Sequence, residues 1–154
     1  MGLIARLFNR SPKRKKDEGT ATERYYKSFN HALDGLIYCL KYEHNMIIIL
    51  SATIIVFIAG LYFDVTLYEW LFILFICGAI AACEMLNSAI EATVDLVTTQ
   101  LHPLARIAKD CASAATLILC ITALFGGMII FIPRIASLIS WVGWVVWKIK
   151  ILKY

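Results

Sequence analysis

The chain has 154 residues, 60% of them hydrophobic and 17% charged, with 15 Lys and Arg against 11 Asp and Glu. Soluble globular domains run at about 45–50% apolar and about 25% charged, so this composition excludes a water-soluble domain. The charge is also uneven: nine of the Lys and Arg precede residue 44 and the remainder carries long uncharged runs, which excludes disorder for most of the chain and predicts an all-α integral membrane protein of one modest domain.

In chain order, residues 1–21 read as a basic flexible tail. Its Met1–Lys16 stretch carries Arg6, Arg10, Lys13, Arg14, Lys15 and Lys16 beside a few apolar residues. It lacks the apolar core of a signal peptide and suits anionic headgroups. Over 22–42, Phe29, Leu33, Leu36, Ile37 and Leu40 recur at intervals of three and four, the pattern of an amphipathic helix on a membrane surface. Asn45–Phe63 is apolar for long enough to span a bilayer, which takes about 20 residues. Asp64–Glu69 is a short polar break, and Trp70–Val97 is a second span. Thr98–Arg106 is a loop with Pro103 marking a helix start. The third span, 110–132, ends at Pro133-Arg134. The remainder, 133–154, is a Trp/Lys-rich extension that reads as an interfacial helix or a short fourth span. The five cysteines include no CxxC pair and read as small buried hydrophobes.

Lys and Arg set the orientation. They crowd before the first span, are absent from Asp64–Glu69, and return as Arg106 and Lys109. The positive-inside rule therefore puts the N-terminus and the Thr98–Asp110 loop in the cytoplasm.

The chemistry concentrates in the second half of the second span. Glu84, Asn87, Ser88, Glu91 and Asp95 stand at offsets of 0, 3, 4, 7 and 11, which at about 100° per residue confines them to an arc of roughly 100°. Met85, Leu86, Ile90 and Val94 take the other side. A carboxylate at membrane depth costs about 2.5–3.5 kcal/mol, so three on one stripe point to a cation or catalytic site. Glu43 at the start of the first span, and Lys109 and Asp110 at the start of the third, come to the same level, with His102 in the adjoining loop. Glu43 and Glu91 suit a hard divalent cation such as Mg²⁺, and Lys109 suits phosphate. Neither GxxxxGK[ST] nor GxGxxG is present, so nucleotide chemistry here does not use a soluble kinase fold.

The run Glu84-Met-Leu-Asn-Ser-Ala-Ile-Glu-Ala-Thr-Val-Asp95, followed by His102-Pro-Leu-Ala-Arg-Ile-Ala-Lys-Asp110, closely resembles the signature of the small prokaryotic diacylglycerol kinase family. Ser28-Phe-Asn-His-Ala-Leu-Asp-Gly35 resembles its surface-helix motif, and the likeness covers about Arg24 to Ile132. The His-Pro-Leu-Ala form is similar to the Gram-positive branch, whose members mostly phosphorylate undecaprenol rather than diacylglycerol. The resemblance implies a homotrimer of three-span subunits with composite sites that transfer the γ-phosphoryl group of ATP to a lipid hydroxyl. It implies Glu84 as general base and Glu43 and Glu91 as ligands of an Mg²⁺ that bridges the nucleotide phosphates. It implies nucleotide contacts from Lys109 and Asp110, with Arg24 and His102 beside them. Asn87, with Ser88, positions substrate or base, and Asp95 supports the site. The extension after Pro133 departs from the family pattern. Partners expected are therefore ATP, a lipid alcohol, the membrane and further copies of the chain, with no nucleic acid.

Two other classes compete. A small oligomeric cation transporter or channel would line a pathway with the acid stripe, but Leu71–Ile80 is apolar, which argues against a through-path. A non-catalytic membrane scaffold does not account for the concentration of acids.

Overall fold

A computed structural model describes residues 20–98 and 100–152. The basic stretch Met1–Lys16 and the last lysine, Lys153, lie outside the described residues. Regular structure among the described residues is entirely helical: α1 Ala21–Tyr42, α2 His44–Tyr62, α3 Leu67–Val97 and α4 Pro103–Leu152. The all-α class read from composition is what the chain forms. Contacts divide it into a first unit ending at Tyr38 and a second beginning at Cys39.

In the first unit, α1 opens on a reciprocal cap: the Thr20 N–H donates to Glu23 at 3.1 Å and the Glu23 N–H to the Thr20 hydroxyl at 3.4 Å, which satisfies amides the helix cannot use. The apolar stripe begun by Phe29 and Leu33 is exposed.

In the second unit, α2, α3 and α4 are each long and apolar enough to cross a membrane. The 19 residues of α2 reach about 28 Å at 1.5 Å per residue, close to the roughly 30 Å of a hydrocarbon core. The 31 residues of α3 reach about 46 Å. Glu84 therefore stands about 25 Å along α3, near the far limit of such a core, and Asp95 lies beyond it.

α2 closes with the Val65 N–H bonded to the Gly60 carbonyl at 3.2 Å and the Phe63 N–H to Ala59 at 2.9 Å. Asp64 takes φ 50° between them, the left-handed residue such a terminus requires. The turn drives Val65 into a cluster with Ile73 and Ile130. α3 begins at Leu67, three residues before Trp70, where the apolar run alone placed its start. Thr66 and Glu69 form a capping box, with the Thr66 N–H donating to the Glu69 carboxylate at 2.7 Å, so the polar break supplies the first turn of the helix.

α4 starts at Pro103, as expected, but continues through Pro133, where the sequence placed the end of the third span. The extension is thus part of one 50-residue helix. Proline removes one backbone donor and crowds the preceding turn. Beside that turn the Arg134 side chain is fully engaged: its Nη1 donates to the Ile130 carbonyl at 2.6 Å and its Nε to the Phe63 carbonyl at 3.3 Å. The same guanidinium grips Glu69 through both terminal nitrogens, at 2.9 and 2.8 Å, joining the α2–α3 turn to α4.

α3 packs against both α2 and α4, and those two do not pack on one another. Small residues set the closeness: Gly126 of α4 receives the Phe72 ring and Gly60 of α2 the Trp70 ring. The Trp70 ring also meets Phe57 edge-on, centroids 5.4 Å apart.

A methyl at Gly126 falls on the Phe72 ring, whereas one at Gly127 meets open space. Gly126→Ala is expected to destabilise the detergent-solubilised protein by about 1–3 kcal/mol and Gly127→Ala to leave it nearly unchanged, as read by thermal unfolding. Arg134→Met is expected to lower the unfolding midpoint by several degrees, more than Arg106→Met, whose ion pair with Asp110 is exposed.

Candidate active site

The buried polar side chains of the second unit gather where α3 faces α4. Glu84 is 3% exposed, with Asn87 and Ser88 almost as enclosed. Ser88 turns its hydroxyl back to the Glu84 carbonyl at 3.1 Å, so it satisfies itself without drawing on the Glu84 carboxylate. Asn87 is oriented at both ends of its amide. Its Nδ2 donates to Glu91 Oε1 at 3.2 Å, and its Oδ1 accepts from the Ser113 hydroxyl of α4 at 3.4 Å. One turn or two further, Lys109 Nζ donates to Asp95 Oδ1 at 2.5 Å. With Arg134–Glu69 at the opposite end, these contacts fix α3 and α4 as antiparallel and in register.

Beside Glu84 and Asn87 lies a cavity of about 250 Å³, walled by Asn45, Ile48 and Ile49 of α2 and by Ser113, Thr116, Leu117 and Cys120 of α4. It shares Ile48, Ile49 and Cys120 with an apolar groove of about 590 Å³ that follows α3 between α2 and α4. A carboxylate thus lines a polar cavity that adjoins an apolar groove.

The last turn of α1 contributes Cys39, which is buried and lies beside Ser88. Burial, then the carboxylates of Glu43 and Glu84, push its thiol up, so it stays protonated at neutral pH. Glu43 and Glu84 therefore lie in one neighbourhood. Glu43 is the N-cap of α2 in extended backbone, φ −97° and ψ 112°, yet its side chain makes no capping bond. Its carboxylate is not spent on the helix.

No group of three His, Cys, Asp or Glu able to hold a metal occurs among the described residues. The available oxygen donors are Glu43 and one half-buried carboxylate, Glu91, steadied by Asn87. One or two carboxylates completed by substrate phosphates is how Mg²⁺ is commonly bound, so the donor set fits a phosphate-bridging cation rather than an all-protein cage.

The remaining residues singled out in the sequence divide. Lys109 and Asp95 are brought together. Asp110 is exposed and pairs with Arg106 at 3.5 Å. His102 is exposed, and its Nδ1 accepts the Leu104 N–H at 3.2 Å, capping α4. Arg24 belongs to the first unit, apart from the unit that holds Glu84. Sequence reasoning missed Ser113, Thr116, Asn45 and Cys39. Lys109, Ser113, Thr116 and Cys120 follow one another at intervals of three and four, so the polar face of α4 was available from the same periodicity that revealed α3.

Comparison with known proteins bears on this geometry. Residues 30–131 match the family described as prokaryotic diacylglycerol kinase. The chain is 36% identical over 120 residues to undecaprenol kinase of Bacillus subtilis (strain 168), covering 78% of this chain and 98% of that one. It is 38% identical over 99 residues to diacylglycerol kinase of Helicobacter pylori (strain ATCC 700392 / 26695), covering 62% and 75%. It is 31% identical over 96 residues to a diacylglycerol kinase of Pseudomonas aeruginosa, covering 62% and 78%. The buried carboxylate and the polar cavity thus sit within the matched segment, and the chain belongs to the prokaryotic diacylglycerol kinase family: it is a membrane lipid kinase, a phosphotransferase with an alcohol as acceptor.

Proposed function

We propose that this enzyme transfers the γ-phosphoryl group of ATP to undecaprenol, giving undecaprenyl phosphate, with Glu84 as the general base. The observation that carries the reading is the placement of Glu84, enclosed at the polar end of a cavity that opens into an apolar groove. A lipid alcohol has that same polarity, a hydroxyl on a hydrocarbon. The 36% identity with an undecaprenol kinase across nearly its whole length supports this acceptor. Diacylglycerol, the acceptor named for the other relatives, is the second reading.

Phosphoryl transfer asks for positioning and charge neutralisation more than for covalent chemistry. Glu43 and Glu91 are the residues that would hold Mg²⁺, and the cation, when bound, neutralises the β- and γ-phosphates. Lys109 adds a compact positive charge and exchanges Asp95 for phosphate when nucleotide arrives. Asp110 and His102 complete the nucleotide contacts. Asn87 holds Glu91 and orders the wall beside the base. Glu84 takes the proton of the acceptor hydroxyl.

The excess of Lys and Arg before α2 and in the α3–α4 loop supports a site at the cytoplasmic face of the bacterial inner membrane. The outward faces of α2 and α4 are broadly exposed and apolar, which suits lipid and further subunits, and a homotrimer with nucleotide contacts shared between subunits is the assembly proposed. A cation channel finds less support, since the stretch of α3 toward Glu69 lines its groove with Ile73, Ile76 and Ile80.

Purified protein in detergent with Mg-ATP is expected to phosphorylate undecaprenol faster than diacylglycerol, measured by transfer of labelled phosphate to each lipid. Equal or reversed rates would replace the first acceptor with the second, and no transfer to any lipid would remove the proposed activity. Glu84→Gln is expected to slow transfer by about 10²–10⁴-fold while nucleotide still binds. Its thermal stability is expected to equal or exceed that of the parent, because the substitution removes a charge from a buried position.

A further inference from the structure

Hydroxyl side chains in these helices follow one habit. Ser51, Thr53, Thr93, Thr122 and Ser137 each donate to the carbonyl four residues back, at 2.7–2.9 Å. This is how a hydroxyl in an apolar helix avoids going unsatisfied. Thr116 breaks the habit. It is 9% exposed, and its hydroxyl oxygen is buried without a hydrogen-bond partner. An unsatisfied buried hydroxyl is costly, so its persistence calls for a partner supplied from elsewhere.

Its position says what that partner is. Thr116 lines the cavity that Glu84 and Asn87 line. It stands one helical turn from Ser113, which belongs to the polar end through Asn87, and one from Cys120, which belongs to both the cavity and the apolar groove. Thr116 therefore marks the level where the wall changes from polar to hydrocarbon. A lipid alcohol seated along that wall changes character at the same level, at its hydroxyl. Threonine in a helix divides between two χ1 rotamers, so its hydroxyl can turn to a ligand in the cavity.

Resting on the lipid-kinase reading above, we infer that Thr116 binds the acceptor directly, its O–H donating to the oxygen of a lipid primary alcohol whose own proton points to Glu84. In the transfer, that proton passes to the Glu84 carboxylate, and a lone pair of the alcohol oxygen forms the new bond to the γ-phosphorus. The bond from that phosphorus to the ADP oxygen breaks with its electron pair leaving on ADP, and Glu84 later returns the proton to water. The products are the lipid phosphate, ADP and one proton. Thr116 exchanges no atom. It fixes the alcohol oxygen, which a hydrocarbon tail alone cannot do.

The test compares Thr116→Val and Thr116→Ser in the full-length protein in detergent, with Mg-ATP and with undecaprenol and diacylglycerol as separate acceptors. Valine keeps the volume and removes the hydroxyl, and serine keeps the hydroxyl. Thr116→Val is expected to lower kcat/KM for the lipid about five- to tenfold, the effect of one lost hydrogen bond, with KM for Mg-ATP unchanged. Thr116→Ser is expected to recover most of the loss. The valine protein is also expected to unfold at the same or a higher temperature than the parent, because it loses an unsatisfied group. Unchanged kcat/KM in an active Thr116→Val protein overturns the inference and leaves the kinase reading standing. A loss accompanied by a lower unfolding temperature and a raised KM for Mg-ATP also overturns it, since that pattern belongs to a structural hydroxyl. A parent protein that phosphorylates no lipid overturns both.

Discussion

A carboxylate brought to membrane depth costs about 2.5–3.5 kcal/mol on insertion scales, and Glu84 is brought there with almost no exposure. The other helices are arranged to allow it. Among the described residues α3 is the one helix with a neighbour on both sides, so its polar stripe is screened by α2 and α4 at Glu84, Asn87 and Ser88 and emerges toward Glu91 and Asp95. The α3–α4 pair is fastened by charge at its two ends, Glu69 to Arg134 and Asp95 to Lys109, and by close approach at Gly126 between them. Were the pair to slide by one residue, Asn87 would lose Ser113 and the cavity wall would lose its polar end.

The acid stripe was legible because periodicity on a single helix is local information: offsets of three, four, seven and eleven define a face whatever the fold. The span starting near Asn45 was legible for the same reason. The start of α3 was less so, because Thr66 and Glu69 look like a loop by polarity and act as a cap by hydrogen bonding. The passage of α4 through Pro133 was hidden because the residue that anchors the helix there, Arg134, draws on the Phe63 carbonyl and on Glu69, both far away in sequence. Thr116 was hidden because an absent hydrogen bond leaves no mark in a residue pattern.

The charged residues near the site occupy one another. Lys109 holds Asp95, Arg106 meets Asp110, and His102 caps α4. Such pairs keep charge quiet near the membrane surface. Those with high exposure contribute little to stability and are readily exchanged for phosphate. Glu43 differs, since it occupies a capping position without capping. Its carboxylate stands at a helix start near a second carboxylate, that of Glu84, with a buried thiol between them, which is why it is the proposed cation ligand.

The Glu69–Arg134 clamp has a consequence for how the chain is made. The two residues are 65 positions apart, so at synthesis rates of about 5–20 residues per second the acid waits several seconds for its partner. In that interval the α2–α3 hairpin is complete without α4. The capping box serves the acid meanwhile: the N–H and the hydroxyl of Thr66 hold its carboxylate where the helix dipole favours negative charge. Arrival of Arg134 then converts a tolerated charge into a latch, and α4 closes on the α2–α3 hairpin at the end opposite the site.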